Sequence, residues 1–200
     1  GGKQGTQVSR AVGKSVSLQQ LNGASREEFV SALRPLFNNE TWPLELAWES
    51  RPFGDVNELR AAIQVAVLTA DDSRRAALIH DYPAMDELLL ADADEAATIS
   101  ADRGSLGLTD LDDVQTERIT ELSAAYRERF DMPFVAYLDT NDTVDRVIDA
   151  GVRRLANSPE QENRTALGEI VEIANDRFDI LLADANPVRS SWDRKFTEVD

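Results

Sequence analysis

Apolar residues recur at the spacing of an α-helix through almost the whole chain from Leu18 onward, and polar capping residues mark the helix starts. Ser25 stands three residues before Glu28, the pattern of a capping box in which each side chain bonds the other residue's backbone N–H. Phe29 and Leu33 follow on one helical face. This spacing predicts a core helix that begins directly after Ser25.

The same signals predict two more helices in the first half of the chain. Asp55 and Glu58 repeat the capping pattern ahead of an apolar helical face. Asp72 or Ser73 is expected to cap a short helix that ends near residue 79. Pro83 closes this helix, because a residue that precedes proline is pushed out of the helical conformation.

Three further helices are predicted in the second half. The first covers about residues 110–130, begins near Leu111 and ends at 131–133, where a proline stands. Asp142 or Thr143 opens the second, and Ser158 opens the third. The predicted inward faces of the last two helices are Val144, Val147, Ile148, Val152, Leu155, Leu167, Ile170, Ile173, Ala174, Phe178 and Leu181. The apolar stretch 134–138 is either extended or a buried loop with a turn of helix.

The rest of the chain lacks such regularity. Residues 1–16 are expected to form a flexible arm, 17–182 the folded domain, and 183–200 a tail in which Trp192 and Phe196 dock on the body. Residues 86–108 are predicted to be helix fragments and loop. The sequence contains no strand pattern with a partner and no repeat of fixed period, so it predicts an all-α domain of about eight helices.

Composition excludes several classes of function. The absence of cysteine removes thiolate metal sites and thiol nucleophiles, and the single histidine, His80, removes His-rich metal sites. A net charge of −16 opposes binding to nucleic acid or to an anionic membrane. No apolar run approaches the length of a membrane span. We therefore expect a soluble, cytoplasmic protein that binds neither nucleic acid nor membrane.

The types of charged residue are unevenly represented. There are 21 Asp and 18 Arg but only three Lys. A salt-adapted source and a GC-rich genome explain this bias equally well.

The acidic clusters at 92–94 and 110–113 lack the glycine and terminal glutamate of a calcium loop, so solvated surface is the better interpretation. No phosphate-binding loop is present, and the glycines at 104 and 107 lack the strand-loop-helix context of a dinucleotide site.

Several segments together resemble one family. They are Arg51-Pro52-Phe53, the run Tyr126-x-x-Arg129-Phe130-x-x-Pro133-Phe134, and the run from Ala166-Leu167 through Ile170 and Ile173-Ala174 to Arg177. With the landmarks between them they cover about residues 18–180. The sequence resembles the OHCU decarboxylases, which act on 2-oxo-4-hydroxy-4-carboxy-5-ureidoimidazoline at the last step from urate to (S)-allantoin. The resemblance implies an all-α carboxy-lyase, usually a homodimer, with a small-molecule substrate and neither metal nor organic cofactor.

The resemblance also places the candidate site, and two of its positions are changed. The family typically has a His-Pro dipeptide whose histidine is the proposed catalytic residue, and this chain has Tyr82-Pro83 there. His80 lies two places earlier, about 200° around a helix, and cannot simply stand in. The resemblance makes Tyr82 a candidate catalytic residue and Pro83 a candidate substrate contact. A tyrosine that only fills the space of the lost histidine is equally compatible with the sequence.

The second changed position is a Ser-x-x-Glu-Gln motif ahead of Gly107-Leu108. Without a gap, Asp102 falls at the glutamate place and Arg103 at the glutamine place; a gap of one residue puts Arg103 at the glutamate place instead. The resemblance makes Asp102 a candidate catalytic carboxylate. Arg103 offers a fixed fork for a substrate carboxylate or ureido oxygens. A surface ion pair is the alternative interpretation for both residues.

The third part of the site is a backbone segment. In the family, amides of the stretch that corresponds to Phe134, Val135, Ala136 and Tyr137 bind substrate oxygens, so these four are candidate substrate-binding residues. Just before them, Asp131 stands where the family has a glycine. Three classes of function remain open: an OHCU decarboxylase with a variant site, a relative acting on another ureido or imidazoline carboxylate, and a non-catalytic binding or assembly protein.

Overall fold

A computed structural model describes residues 16–38, 40–90, 111–138 and 142–182. The predicted arm up to residue 15, the tail 183–200 with Trp192 and Phe196, and the site candidates Asp102 and Arg103 lie outside the described residues. No β-strand occurs within the described ranges, and none of their helices is long and apolar enough to cross a membrane. The all-α class that the sequence predicts is confirmed.

The helices are numbered here in chain order. They are α1 (Leu18–Gly23), α2 (Arg26–Leu33), α3 (Trp42–Trp48), α4 (Val56–Leu68), α5 (Asp72–His80), α6 (Met85–Leu90), α7 (Asp113–Phe130), α8 (Val144–Arg154) and α9 (Pro159–Leu181), with a 3₁₀ turn at Arg34–Leu36. The described residues divide into two compact units. One contains residues 70–173, and the other contains residues 16–69 and 174–182.

Capping explains most helix starts. The Ser25–Glu28 capping box opens α2 as predicted, and Asp55 caps α4 by accepting from the Glu58 backbone N–H at 2.8 Å. Ser158 and Gln161 form a reciprocal pair at the start of α9. Each side chain satisfies a backbone N–H that the first helical turn leaves without an intrahelical partner.

Two predicted helix starts are wrong by a few residues. Asp71 caps α5, not Asp72 or Ser73, because its carboxylate accepts from the Arg74 N–H at 2.8 Å. Helix α7 begins at Asp113 rather than near Leu111, because Asp112 forms a capping box with Gln115.

The unit of residues 16–69 and 174–182 contains the Arg51-Pro52-Phe53 turn, whose Arg51–Pro52 peptide bond is cis. Arg51 Nη1 donates to the backbone carbonyls of Asn22 at 2.9 Å and Ala24 at 2.7 Å. The Asn22 side chain accepts from the Phe53 N–H at 2.8 Å and donates to its carbonyl at 3.0 Å. This part of the family pattern therefore fixes the chain path between α1 and α3.

The unit of residues 70–173 contains α5 to α8 and the first part of α9. Its core includes Ile119, Leu122, Tyr126, Phe134, Ile148 and Ile170. On α8 the structure corrects one inward residue: Val152 is 52% exposed, and Gly151 is buried in its place. The buried positions of α8 follow the i, i+3, i+4, i+7 spacing from Val144, which selects residue 151 and turns residue 152 away.

Candidate functional site

The candidate site lies in the unit of residues 70–173, at the corner between α5 and α6. Helix α5 ends at His80, and the Tyr82 N–H donates to the Ile79 carbonyl at 3.2 Å. Pro83 then stops helical continuation. Tyr82, the candidate catalytic residue, is 4% exposed and is therefore buried. His80 has a side chain that is 62% exposed at the end of this helix.

The backbone after this corner is joined to the candidate substrate-binding segment. The Met85 N–H at the start of α6 donates a 2.7 Å hydrogen bond to the Phe134 carbonyl. The structure thus brings the stretch that follows Tyr82-Pro83 together with Phe134–Tyr137, although about 50 residues of sequence separate them. The segment has no regular secondary structure from 133 to 138, so the turn of helix that the second alternative includes is absent. Residues 133–135 are buried and residues 136–138 are half-buried.

The segment is entered through a left-handed residue. Asp131 ends α7 with φ 55° and ψ 38°, and its N–H donates to the Arg127 carbonyl at 2.8 Å. This conformation suits glycine best and aspartate tolerably. Asp131 therefore has a backbone conformation that glycine favours, at the position where the resemblance places a glycine.

Phe134 is fully buried, and its ring fixes the segment in the core. It meets the Tyr126 ring edge-on at a centroid distance of 5.4 Å. The Arg154 guanidinium lies 4.9 Å from the Phe134 ring centroid. On the α8 side, a Cβ added to Gly151 would lie 2.8 Å from Phe134 Cζ. Only a glycine allows α8 to approach the ring this closely.

A buried ionic network supports the same segment. Glu162 is 0% exposed and accepts hydrogen bonds from Arg154 Nε at 3.2 and 3.1 Å, from Arg154 Nη2 at 2.9 Å and from Asn157 Nδ2 at 2.9 Å. The Tyr126 hydroxyl donates to it as well. Burial alone would raise the pKa of Glu162, but these hydrogen bonds and the Arg154 charge lower the pKa below its ordinary value. Glu162 is therefore an ionised partner of Arg154.

A second carboxylate lies beside the segment. The Tyr137 N–H donates to the Glu169 carboxylate, and Glu169 Oε1 is 4.0 Å from Arg154 Nη1. Burial raises the pKa of Glu169 above its ordinary value, in spite of the opposing effects of Arg154 and of the Tyr137 amide. The backbone of residue 137 is thus fixed from the α9 side.

Two backbone donors of the segment remain available. Within the part of the chain that the structure describes, the N–H groups of Val135 and Ala136 donate to no acceptor. The Phe134 and Val135 carbonyls and the Tyr137 N–H all have partners. Adjacent N–H groups on a fixed loop can bind an oxyanion.

Sequence reasoning missed the Arg154–Glu162–Tyr126 network as part of the site. Tyr126 lies in one of the segments that carry the family resemblance, and Arg154 and Glu162 lie within the stretch of about 18–180 that the resemblance covers. Their spacing along the chain does not show that the three side chains meet. Arg129 Nη2 donates to the Asn157 carbonyl at 2.7 Å and so joins the end of α7 to the residues after α8. A groove of about 460 Å³ between α5 and α9, lined in part by Arg75, Ile79 and Leu167, contains none of the candidate residues.

The comparisons with known proteins decide the family. Residues 22–179 match the profile of the OHCU decarboxylase family. The chain belongs to this family. A 2-oxo-4-hydroxy-4-carboxy-5-ureidoimidazoline decarboxylase of Haloferax volcanii is 37% identical over 165 residues, which cover 82% of this chain and 94% of the relative. The Mus musculus protein of the same description is 32% identical over 181 residues, with coverage of 87% and 98%.

A solved structure is similar as well. The crystal structure of (S)-allantoin synthase matches with a TM-score of 0.63 and 22% identity, covering 84% of this chain and 54% of that chain. This chain therefore spans about half of the solved one. At this identity the likeness shows the OHCU decarboxylase fold, which agrees with the family profile.

Proposed function

We propose that this OHCU decarboxylase family member is a carboxy-lyase that converts 2-oxo-4-hydroxy-4-carboxy-5-ureidoimidazoline into (S)-allantoin with a variant site. The observation that carries the proposal is the pair of available N–H groups at Val135 and Ala136, on the segment bonded to the stretch after Tyr82. The activity in the names of the 37% and 32% identical relatives supports the same reaction.

The chemistry fits such a pair of donors. Loss of carbon dioxide from this substrate leaves electron density on the imidazoline ring, and a proton must then reach one face of the carbon. Fixed N–H groups stabilise the developing negative charge without reorganisation. We assign that role to Val135 and Ala136, with Phe134 and Tyr137 fixing the loop on either side and Pro83 forming part of the substrate contact surface.

The proton donor in this proposal is Tyr82. Its side chain is directed inward at the corner where the family has histidine, and a tyrosine hydroxyl donates a hydrogen bond or a proton. An ordinary tyrosine hydroxyl ionises near pH 10 and an ordinary histidine near pH 6.5, so tyrosine is the weaker acid of the two. We assign Asp102 as the carboxylate partner of Tyr82. We assign Arg103 as the side chain that binds the carboxylate of the substrate. The homodimer that the resemblance implies stays a prediction.

The experiment that tests the proposal follows the decay of the substrate by its ultraviolet absorbance. The substrate is generated in the cuvette from urate, and its loss is compared without protein, with the unmodified chain and with Tyr82→Phe, which removes only the hydroxyl. We expect the unmodified chain to accelerate the decay. In Tyr82→Phe the acceleration should be at least about 100-fold smaller, because a general acid usually contributes a factor of this size. Decay at the protein-free rate contradicts the proposed activity. Full activity of Tyr82→Phe contradicts the role of Tyr82.

A further inference from the structure

Each peptide group that presents an available N–H has a carbonyl that accepts a hydrogen bond. The N–H of Ala136 belongs to the same peptide group as the Val135 carbonyl, which accepts from Arg154 Nη1 at 2.9 Å. The N–H of Val135 belongs to the same group as the Phe134 carbonyl, which accepts from the Met85 N–H at 2.7 Å. A donor on the carbonyl side polarises a peptide group and makes its N–H a stronger donor.

The two peptide groups are not polarised equally. The donor to the Phe134 carbonyl is a neutral backbone N–H, whereas the donor to the Val135 carbonyl is a guanidinium. Hydrogen bonds from an ionised donor are roughly twice as strong as neutral ones. The effect on the Ala136 N–H is therefore the larger of the two.

Arg154 is held for this contact by its other hydrogen bonds. Its side chain is 11% exposed, and the Nε and Nη2 groups are directed at Glu162. Glu162 is itself fixed by the Tyr126 hydroxyl and by Asn157. Because Glu162 binds both Nε and Nη2 of the planar guanidinium, the orientation of the group is fixed and Nη1 is directed at the Val135 carbonyl.

We propose that Arg154, fixed by Glu162, is a positioning residue that acts through the Val135–Ala136 peptide group to strengthen the Ala136 N–H as donor to the oxyanion formed on decarboxylation. This inference rests on the proposed function for its substrate class. It assigns a role in the reaction to a buried ion pair that lies beneath the loop and does not itself contact the substrate.

The test uses Arg154→Lys, which keeps the positive charge but loses the fork. A single ammonium cannot satisfy both oxygens of Glu162 and the Val135 carbonyl with the same geometry. The matched control is Arg118→Lys in the same unit, because Arg118 forms exposed ion pairs with Asp145 and Asp149. Both variants are assayed for kcat and KM at a temperature well below their unfolding midpoints.

We expect Arg154→Lys to lower kcat about tenfold with KM nearly unchanged, since the stronger N–H matters most when charge develops in the transition state. Arg118→Lys should leave both constants unchanged. A lower unfolding midpoint with kcat retained would show a purely structural role and overturn the proposal. So would a change confined to KM.

A second measurement keeps the inference separate from the activity. In the free protein, the amide proton resonance of Ala136 reports the polarisation of its peptide group without any substrate. Arg154→Lys should move this resonance upfield while leaving amides of α4 unmoved, and an unmoved Ala136 resonance would overturn the proposal. If the unmodified chain proves inactive, the proposed function fails while this resonance still decides the effect of Arg154 on the loop.

Discussion

The Met85 N–H and the Phe134 carbonyl are joined by a 2.7 Å hydrogen bond that connects the start of α6 to the loop after α7. This bond joins the stretch that follows Tyr82 to the loop in which the N–H groups of Val135 and Ala136 have no acceptor among the described residues. A carbonyl without this partner would be buried and unsatisfied, at a cost of about 1–3 kcal/mol. The bond therefore both stabilises the unit and fixes its candidate site.

Replacing the Glu162 carboxylate by an amide should strongly destabilise this unit. Glu162→Gln leaves the Arg154 charge buried without its partner, so we expect the free energy of unfolding at pH 7 to fall by about 3–5 kcal/mol. Urea denaturation of both proteins measures this difference. Asp149→Asn, which breaks an exposed ion pair with Arg118, should cost about 0–1 kcal/mol.

The cost of Glu162→Gln should depend on pH in a defined direction. Because the folded protein lowers the pKa of Glu162, its stabilising contribution is complete above the ordinary value of 4.5. The contribution is lost as the pH falls below 4.5 and through the folded-state pKa. The gap between the unmodified chain and the variant should therefore narrow below pH 4.5, and a gap that stays constant down to pH 3 would contradict an ionised Glu162.

Gly151 should not tolerate even a methyl group. A Cβ there would lie 2.5 Å from Leu122 Cδ2 and 2.8 Å from Phe134 Cζ, so we expect Gly151→Ala to destabilise by about 1–3 kcal/mol through overpacking. Gly168 in α9 is the matched control, because a Cβ there meets nothing within 4 Å. Gly168→Ala should stabilise by about 0.5–1 kcal/mol. Thermal unfolding of the two variants gives the comparison, and equal shifts would rule out the close packing of α8 on Phe134.

Asp131→Gly should stabilise the protein. The residue has φ 55° and is exposed, and glycine adopts this left-handed conformation without steric cost, so we expect a gain of about 0.5–1 kcal/mol. Asn38 has φ 58°, but its side chain accepts from Arg177 Nη1 at 3.1 Å. Asn38→Gly should therefore gain less or lose stability. Chemical denaturation separates the two, and a destabilised Asp131→Gly would mean that its carboxylate matters more than the backbone.

The lone histidine should be dispensable for activity. Its side chain is 62% exposed at the end of α5, two residues before the corner. His80→Ala should change kcat by less than about twofold, against the loss of about 100-fold or more that removing a general acid produces. A large loss in the substrate decay assay would show that His80 takes part in the reaction and would contradict this prediction.

The sequence predicts the local features of this fold well, because they depend on residues three or four apart. The Ser25–Glu28 box, the Asp55 cap and the break at Pro83 all follow from neighbouring residues. Errors in the helix starts arise where neighbouring residues are all suitable caps. Asp71, Asp72 and Ser73 can each cap a helix, and the structure shows that Asp71 caps α5. Val152 is as apolar as Val144 and Val147, so its side chain favours the inward face, whereas the helical spacing from Val144 selects Gly151.

The candidate site is less predictable because its partners are distant in sequence. Tyr82 and the loop of residues 134–137 are indicated by the resemblance, but nothing local shows that Met85 bonds Phe134. The convergence of Tyr126, Arg154 and Glu162 arises from three different helices. Whether a peptide N–H in a loop has a hydrogen-bond acceptor likewise depends on the tertiary structure and cannot be predicted from the pattern of residues.

The circular dichroism of the product tests the central claim most directly. The substrate is expected to decay unaided to racemic allantoin, which has no net optical signal, so only stereospecific protonation produces one. Freshly generated substrate is mixed with the unmodified chain, and the signal is followed beside a protein-free control and beside Tyr82→Phe. We predict a growing signal with the sign of (S)-allantoin from the unmodified chain, strongly slowed in the variant. A signal that stays flat in the presence of the unmodified chain would contradict the assignment of this protein as a decarboxylase.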